Sequence, residues 1–245
     1  MLLEILLATL FVSLLSLSGV LLLSLQKKMQ EAVVFIILSF ATGSLLAAAF
    51  FDLLPEAIDG LPSSTVFAFT LGGIITFFIL ERVVHWHHEH HDHKEHEKPV
   101  AYLVLIGDGI HNFFDGVAIA AAFLTSLPLG VATTFAIMMH EIPQEISDFT
   151  LLTYAGFSTK KALFTNLLSG LVAVLGALFF FYLSSYVQNL QFYGLAFAAG
   201  GFIYIAASDL IPELHKQSKI RIWIQLAAIL TGIAAMWLLA NHVSA

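Results

Sequence analysis

The fold is decided by the stretch from His111 to Glu145, which begins with HNFFDG (111–116) and ends with HEIPQE (140–145). Each hexapeptide stands in the middle of a long apolar segment. Residues four apart share a face of a helix, so the first motif places His111 over Asp115. Ionisable groups at membrane depth cost about 2.5–3.5 kcal/mol each and mark functional sites by default. The stretch therefore predicts two adjacent membrane helices that offer imidazole and carboxylate ligands to a divalent metal ion.

Polar side chains follow both segments at the 3–4 spacing of one helix face. The candidate metal ligands are His111, Asn112, Asp115, His140, Glu141, Gln144 and Glu145. Because the segments run in opposite directions, Asp108 and Asp148 come out together on the inner side. The pattern predicts a central metal site within a transport pathway, with an inner ladder of carboxylates. Asn166, on the next segment, either completes the metal shell or bonds only to a neighbour.

For single members of this set, the sequence leaves more than one role open. One polar residue in a membrane helix often serves only as a hydrogen-bond partner between helices. Packing alone is the alternative for Asn112, and solvation at a helix end is the alternative for Asp108 and Asp148. A membrane-embedded zinc hydrolase with Glu145 as general base is the alternative function. The sequence HEIPQ at 140–144 resembles the zinc-protease motif HExxH. However, the second histidine is replaced and Pro143 disturbs the helix, which disfavours protease chemistry.

Composition places the chain among integral membrane proteins. Of its 245 residues, 59% are hydrophobic and 11% are charged, against about 25% charged in soluble domains. Cysteine is absent, so any metal site is built from nitrogen and oxygen ligands. The ten Lys and Arg residues form no continuous basic stripe, so no nucleic-acid partner is expected.

The apolar segments predict an all-α integral membrane protein with eight transmembrane helices in one transport domain, 1–245. A bilayer core of about 30 Å needs about 20 apolar residues per helix. Counting on that basis gives the segments 2–25, 31–54, 64–84, 99–124, 128–153, 160–185, 190–213 and 220–240. The connections are short, so neighbouring helices are antiparallel.

The basic residues predict how these helices are oriented. Every Lys and Arg falls in or beside a connection from an odd to an even segment, at positions 27, 28, 82, 94, 98, 160, 161, 216, 219 and 221. These connections share one side of the membrane, which the positive-inside rule makes the cytoplasm. Both termini are then outside, and the plasma (inner) membrane is the expected location.

A short motif recurs near the ends of the second and seventh segments. FDLLPE at 51–56 matches SDLIPE at 208–213 in its Asp, Pro and Glu. The two segments run in opposite directions, which predicts an inverted repeat of helices 1–3 and 6–8 around the central pair 4–5, a 3+2+3 arrangement. The alternative is that Leu-Pro-Glu is merely a common way to end a helix.

A histidine-rich tract links the third and fourth segments. It contains seven histidines between His85 and His96, and we predict a cytoplasmic loop over 85–98 that binds metal loosely. Its candidate exit-side ligands are His87, His88, His90 and His91. A fortuitous polar linker is the alternative.

The paired motifs resemble those of the ZIP (Zrt- and Irt-like) metal transporters, in the branch marked by HNFxDG and HEIPHE. The resemblance covers the whole chain, including eight helices and a histidine-rich loop between the third and fourth. It implies uptake of zinc into the cytoplasm, and also of iron, manganese or cadmium, as transported substrate rather than cofactor. It further implies a homodimer in the lipid bilayer and movement of one helix bundle against another.

The resemblance also implies roles for single residues. His111, Asp115 and Gln144 would line one metal site, and Asn112, Asp115, Glu141 and His140 the adjacent one. Glu145 and Asn166 match positions near these sites. This chain departs from the family motif at Gln144, where the motif has His, and it lacks the usual acid at Ala48. An amide oxygen is a harder ligand than imidazole, so the departure predicts a weaker preference for zinc.

Overall fold

The computed structural model describes residues 1–18, 27–89, 98–216 and 222–243, and all regular structure in these ranges is helical. Eight helical rods follow one another along the chain. They are α1 (Leu2–Leu17), α2 (Lys27–Ala47, Ala48–Leu53 and Leu54–Gly60), α3 (Ser63–Glu89), α4 (Lys98–Thr125), α5 (Leu127–Tyr154), α6 (Thr159–Leu183), α7 (Leu190–Tyr204, Ile205–Leu210 and Ile211–His215) and α8 (Ile222–Val243). Each rod overlaps one of the eight predicted segments.

Six of the rods are long and apolar enough to cross a membrane within the described residues, namely α2, α3, α4, α6, α7 and α8. The all-α membrane class is thereby confirmed. Within the described residues, the apolar helix α1 is shorter. Helix α5, which carries His140, Glu141 and Gln144, is not among the six. For α1 and α5, membrane crossing stays a prediction.

Helix α3 differs from its predicted end. It continues to Glu89, five residues into the tract predicted as a loop from His85. The physical reason is that no Pro or Gly stands between Arg82 and Lys98 to stop a helix. His87 and His88 lie in this extension, and their side chains, like the whole of 90–97, lie outside the described part of the structure.

Helices α2 and α7 share an unusual feature, a six-residue π-helical stretch within an otherwise α-helical rod. These stretches are Ala48–Leu53 and Ile205–Leu210. Each is followed by a proline, Pro55 or Pro212, at the second residue of the next α-helical turn. Proline donates no backbone hydrogen bond, and its ring collides with the carbonyl four residues earlier. A wider turn relieves that collision, which explains why both stretches stand where they do.

Three helix pairs cross so closely that backbone touches backbone. In each pair one glycine from each partner lies at the crossing: Gly43 and Gly232 for α2–α8, Gly73 and Gly200 for α3–α7, and Gly116 and Gly176 for α4–α6. A Cβ atom added at any of them would lie 1.9–2.3 Å from a carbonyl oxygen of the partner helix. Small residues allow such close approach in membranes, where packing rather than hydrophobic burial drives association.

These crossings divide the molecule into two bundles. The first bundle contains α2, α3, α7 and α8, and the second contains α1, α4, α5 and α6. The bundles meet through apolar side chains, many of them alanines, and through aromatic rings. The ring contacts that cross the boundary join Phe40 to Phe135, Phe77 to His111 and Phe114, Phe114 to Phe197, and His140 to Phe202.

Several features of α2 recur in α7 at one constant interval along the chain. The corresponding pairs are Gly43 with Gly200, Ala48 with Ile205 at the start of the π-helical stretch, Asp52 with Asp209, and Pro55 with Pro212. The crossings correspond too, because Gly43 packs on α8 and Gly200 on α3. The helices of the predicted repeat are therefore interleaved: α2 and α3 pack with α8 and α7. The 3+2+3 order describes the chain, and as a spatial arrangement it is not confirmed.

Candidate metal centre

Two imidazoles and two carboxylates meet in the middle of the α4–α5 pair. His111 and Asp115 come from α4, and His140 and Glu141 from α5. Each side chain offers one ligand atom, and the four atoms lie within 4.8 Å of one another. His111 and Asp115 are one turn apart on α4, and His140 and Glu141 are adjacent on α5. The two side chains of each helix therefore point toward the same place.

The distances within this quartet suit a small divalent ion. Nε2 of His111 lies 3.2 Å from Nε2 of His140 and 3.4 Å from Oε1 of Glu141. Oδ2 of Asp115 lies 3.3 Å from Nε2 of His140 and 3.7 Å from Nε2 of His111. Ligand bonds of about 2.0–2.1 Å in a tetrahedral zinc site put neighbouring donors about 3.4 Å apart. Five of the six donor–donor distances in the quartet lie between 3.2 and 3.7 Å, close to that spacing.

Burial makes this cluster costly without a cation. The side chains of Asp115, His140 and Glu141 are at most 2% exposed, and that of His111 is 14% exposed. Both oxygens of Glu141 accept no hydrogen bond from the described residues. Two ionised carboxylates buried this deeply are costly unless positive charge stands beside them. A divalent cation would neutralise the two carboxylates and satisfy their oxygens at once.

Asn112 and Gln144, two other predicted ligands, turn away from the quartet toward Asp108. The amide nitrogens of Asn112 and Gln144 donate to Oδ1 of Asp108 over 3.0 Å and 3.2 Å. These bonds give Asp108, which is 5% exposed, a specific environment rather than simple solvation at a helix end. The predicted role of Gln144 as a direct ligand stays a prediction, because its amide contacts Asp108, one turn before Asn112 on α4.

Glu145 and Asn166 form a separate contact between α5 and α6. The Nδ2 group of Asn166 donates to Oε2 of Glu145 over 2.5 Å and to the backbone oxygen of Ser16 over 3.3 Å. Glu145 is fully buried, so this amide provides a polar partner that the carboxylate needs. Ser13 adds a bond from α1 to the Gly170 carbonyl of α6. Here Asn166 is a bridge that ties α1, α5 and α6 together.

The two sides of the quartet differ in polarity. Toward the end where α4 finishes and α5 begins, the surrounding residues are apolar and almost wholly buried, among them Ile119, Phe123, Ala136 and Ile137. Toward the other end lie Asp108, Gln144 and Asp148, with Gln144 partly exposed and Asp148 9% exposed. The quartet is therefore sealed on one side and followed by polar groups on the other.

Aromatic rings that sequence reasoning did not identify cover the two imidazoles. Phe77 of α3 meets His111 edge-on, with ring centroids 5.7 Å apart, and Phe202 of α7 lies 6.2 Å from His140. Both phenylalanines are buried, at 7% and 2% exposure. No motif distinguishes them from the other phenylalanines, because their role depends on which helices become neighbours.

Comparison with known proteins places the chain beside metal transporters. A family model described as "ZIP Zinc transporter" matches residues 2–100 and 86–240. The chain is 39% identical over 145 residues to "Zinc transporter foi" of Drosophila melanogaster, covering 58% of this chain and 20% of that protein. It is 40% identical over 151 residues to "Metal cation symporter ZIP14" of Xenopus tropicalis, covering 58% of this chain and 32% of that protein.

A longer alignment joins it to "Zinc transporter zipt-7.2" of Caenorhabditis elegans, with 31% identity over 269 residues, 84% of this chain and 58% of that protein. The chain thus spans less than two thirds of each of these relatives.

Proposed function

The chain belongs to the ZIP zinc transporter family, and from this premise we propose that it carries divalent transition-metal cations across a membrane into the cytoplasm. Zinc is the foremost substrate, with iron, manganese and cadmium as further candidates. The chain is an integral membrane protein, and the proposed transport unit is the whole of 1–245 as one domain. The observation that carries the proposal is the buried quartet of His111, Asp115, His140 and Glu141.

The charge of the quartet explains why it would suit transport rather than permanent storage. Two carboxylates and two neutral imidazoles form an electrically neutral complex with a divalent ion. A neutral complex avoids the large cost of a net charge in a low-dielectric interior. The absence of thiolate ligands also lowers affinity for zinc, which favours release.

The energy for uptake is proposed to come from existing gradients. With the cytoplasm on the side of the basic connections, an inside-negative potential of 100 mV favours inward movement of a doubly charged ion by about 4.6 kcal/mol, twice the single-charge value. The sealed apolar side of the quartet then faces outward, and Asp108, Gln144 and Asp148 mark the inward path. The structure would correspond to an inward-facing state.

The two bundles support a sliding mechanism of alternating access. The interhelical bonds Ser13–Gly170, Gln144–Asp108, Asn166–Glu145 and Asn166–Ser16 each join helices of the second bundle. Tyr204 of α7 donates to Glu81 of α3 within the first bundle. The boundary between bundles is built from alanines and aromatic rings, and movement along it would break none of these bonds. We propose that the second bundle, with its metal quartet, moves against the first, as inverted repeats allow.

The proposal also covers the location, the orientation and the partner of the protein. We propose the plasma (inner) membrane as location, both termini outside, and a second copy of the chain as partner. The histidine tract would receive metal loosely at the cytoplasmic exit. The hydrolase alternative is not supported, because the family and the relatives it was compared with are named as transporters.

The direct test uses purified protein in liposomes that contain a metal-sensitive dye. We expect saturable zinc influx that grows with an inside-negative potential, and slower influx of manganese and cadmium. No influx of any metal above that of protein-free liposomes would contradict the proposal. Turnover of lipid or peptide in the same preparation would instead support the hydrolase alternative.

One prediction concerns metal selectivity at position 144. Gln144→His exchanges a hard oxygen ligand for imidazole, so we expect the ratio of zinc to manganese influx to rise by about tenfold, the lower end of ligand-shell effects on metal affinity. Gln144→Glu supplies a hard anionic oxygen of similar size and should shift the ratio toward manganese. Competition between the two metals in the liposome assay measures both shifts. Equal ratios in all three proteins would mean that this side chain never approaches the ion.

A further inference from the structure

We propose that Phe77 and Phe202 are positioning residues that determine how strongly the metal centre prefers zinc over manganese. This proposal rests on the proposed function and deepens it. The two rings do not touch the ion. They act through the imidazoles of His111 and His140, which they hold in the orientation that directs both Nε2 atoms to one point.

The placement of Phe77 is tightly fixed. Its ring stands at 86° to the His111 ring and also packs on Phe114, with ring centroids 5.6 Å apart. On its other side it meets α7 at Gly201, where an added Cβ atom would lie only 2.6 Å from the phenylalanine ring. The ring therefore packs between α4 and α7 in close contact with both helices. A fixed ring in edge contact with an imidazole restricts the rotation of that imidazole.

The two imidazoles depend on their aromatic neighbours to different degrees. His140 is 1% exposed, and its Nδ1 lies 3.4 Å from the carbonyl oxygen of Ala136. Backbone contact of this kind orients a ligand histidine without help from a ring. His111 is more exposed, at 14%, and its ring meets the His140 ring within the quartet and the Phe77 ring outside it. Loss of Phe77 therefore disturbs the centre more than loss of Phe202.

Orientation of imidazole controls selectivity because the two ligand types favour different metals. Imidazole suits zinc and similar borderline ions, while carboxylate oxygens suit manganese and other hard ions. A freely rotating imidazole weakens zinc binding, but it leaves Asp115 and Glu141 free to hold manganese. A general loss of structure would weaken both metals together. The ratio of the two affinities separates positioning from folding.

The helices that carry the two rings connect metal preference with transport. Phe77 and Phe202 belong to the first bundle, and the imidazoles belong to the second. The rings can hold the imidazoles only while the two bundles keep this alignment. When the bundles move, the imidazoles can rotate more freely, and the affinity of the centre for zinc falls. The same contacts that confer preference thus make that preference depend on conformation.

The test measures equilibrium binding to the full chain in lipid nanodiscs, with no transport required. Zinc affinity is obtained by competition with a chromophoric chelator, and manganese affinity from the electron paramagnetic resonance signal of the free ion. For Phe77→Leu we expect zinc affinity to fall about 3- to 10-fold, the range of an aromatic pair contact, and manganese affinity to stay within about twofold. Phe202→Leu should give a smaller fall of the same kind. Phe67→Leu is the matched control, since Phe67 lies on the same helix and is 57% exposed.

Distinct results separate this proposal from the proposed function. If wild-type liposomes transport zinc but Phe77→Leu leaves the zinc-to-manganese ratio unchanged, the positioning role is overturned and transport stands. If wild-type liposomes transport nothing, the function fails, and the binding ratio still decides the role of the rings. Should Phe77→Leu not fold, Phe77→Met fills the gap with a flexible side chain but no ring, and it must show the same fall in zinc affinity. An equal loss of both metals in all folded variants would also overturn the proposal.

Discussion

Replacing Glu141 by alanine is expected to abolish zinc transport. Glu141 contributes one of the two carboxylates of the quartet, and its oxygen lies within 3.5 Å of both imidazoles. Loss of a group that only supports a ligand already lowers metal affinity by about 10- to 100-fold, so loss of a ligand should cost at least about 100-fold. The site would also keep one uncompensated positive charge when loaded. In the dye-filled liposomes, influx should fall to the protein-free background, and His111→Ala should behave in the same way.

Stabilisation by zinc should be lost together with transport. In the metal-free protein, Oε1 of the fully buried Glu141 lies 3.4–3.5 Å from Nε2 of both imidazoles. Removing this carboxylate leaves two largely buried imidazoles without that partner, so the metal-free variant should unfold at the same or a lower temperature than wild type. Zinc at 100 times its dissociation constant stabilises a folded protein by about 2.7 kcal/mol. Wild type should show that stabilisation, and Glu141→Ala should not.

The control for this pair of measurements is Asp59→Ala, which removes a carboxylate from an exposed position at the end of α2. It should leave both zinc influx and zinc-dependent stabilisation unchanged. If Glu141→Ala kept saturable influx at a normal zinc concentration dependence, the quartet would not lie on the transport path. A variant that lost transport but kept the full stabilisation by zinc would instead place Glu141 in movement rather than in binding.

The meeting of His111, Asp115, His140 and Glu141 could be predicted from sequence because its geometry is local. His111 and Asp115 are one turn apart on one helix, and His140 and Glu141 are neighbours on the next. Charged groups in apolar segments have few alternatives to facing each other. The orientation of the neutral amides was less predictable. The side chain of Gln144 has two possible partners, Asp108 and the quartet. Its hydrogen bond to Asp108 depends on small differences in hydrogen-bond energy between these two environments.

The aromatic contacts and the division into bundles could not be predicted for a different reason. In a membrane protein both the lipid-facing and the buried faces of a helix are apolar, so hydrophobicity does not reveal which face packs inward. Phe50 and Phe51 are about half exposed while Phe77 is buried, although all three stand in similar apolar surroundings in the sequence. The motif repeated in α2 and α7 indicated two related halves, but it did not show that their helices interleave.

The second large effect is expected at two adjacent glycines of α3 whose surroundings differ. At Gly73 an added Cβ atom would lie 2.1 Å from the Phe197 carbonyl oxygen of α7, whereas at Gly72 nothing lies within 4 Å. Gly73→Ala must push α3 and α7 apart, and overpacking of this kind costs about 1–3 kcal/mol, occasionally more. Gly72→Ala meets no atom and gains helix propensity of up to about 1 kcal/mol. The same chemical change, one residue apart, should therefore lower stability in one case and preserve or raise it in the other.

Thermal unfolding of the detergent-solubilised protein, together with the monodisperse fraction in size-exclusion chromatography, measures this difference. Gly200 lies at the same crossing, on the α7 side, so Gly73→Ala and Gly200→Ala should not add: once the helices have separated, the second methyl group meets less resistance. Equal stability of Gly72→Ala and Gly73→Ala would mean that α3 and α7 do not cross at backbone contact. The close α3–α7 crossing would then no longer hold the first bundle together. The proposal that the metal-carrying bundle moves against it would lose this support.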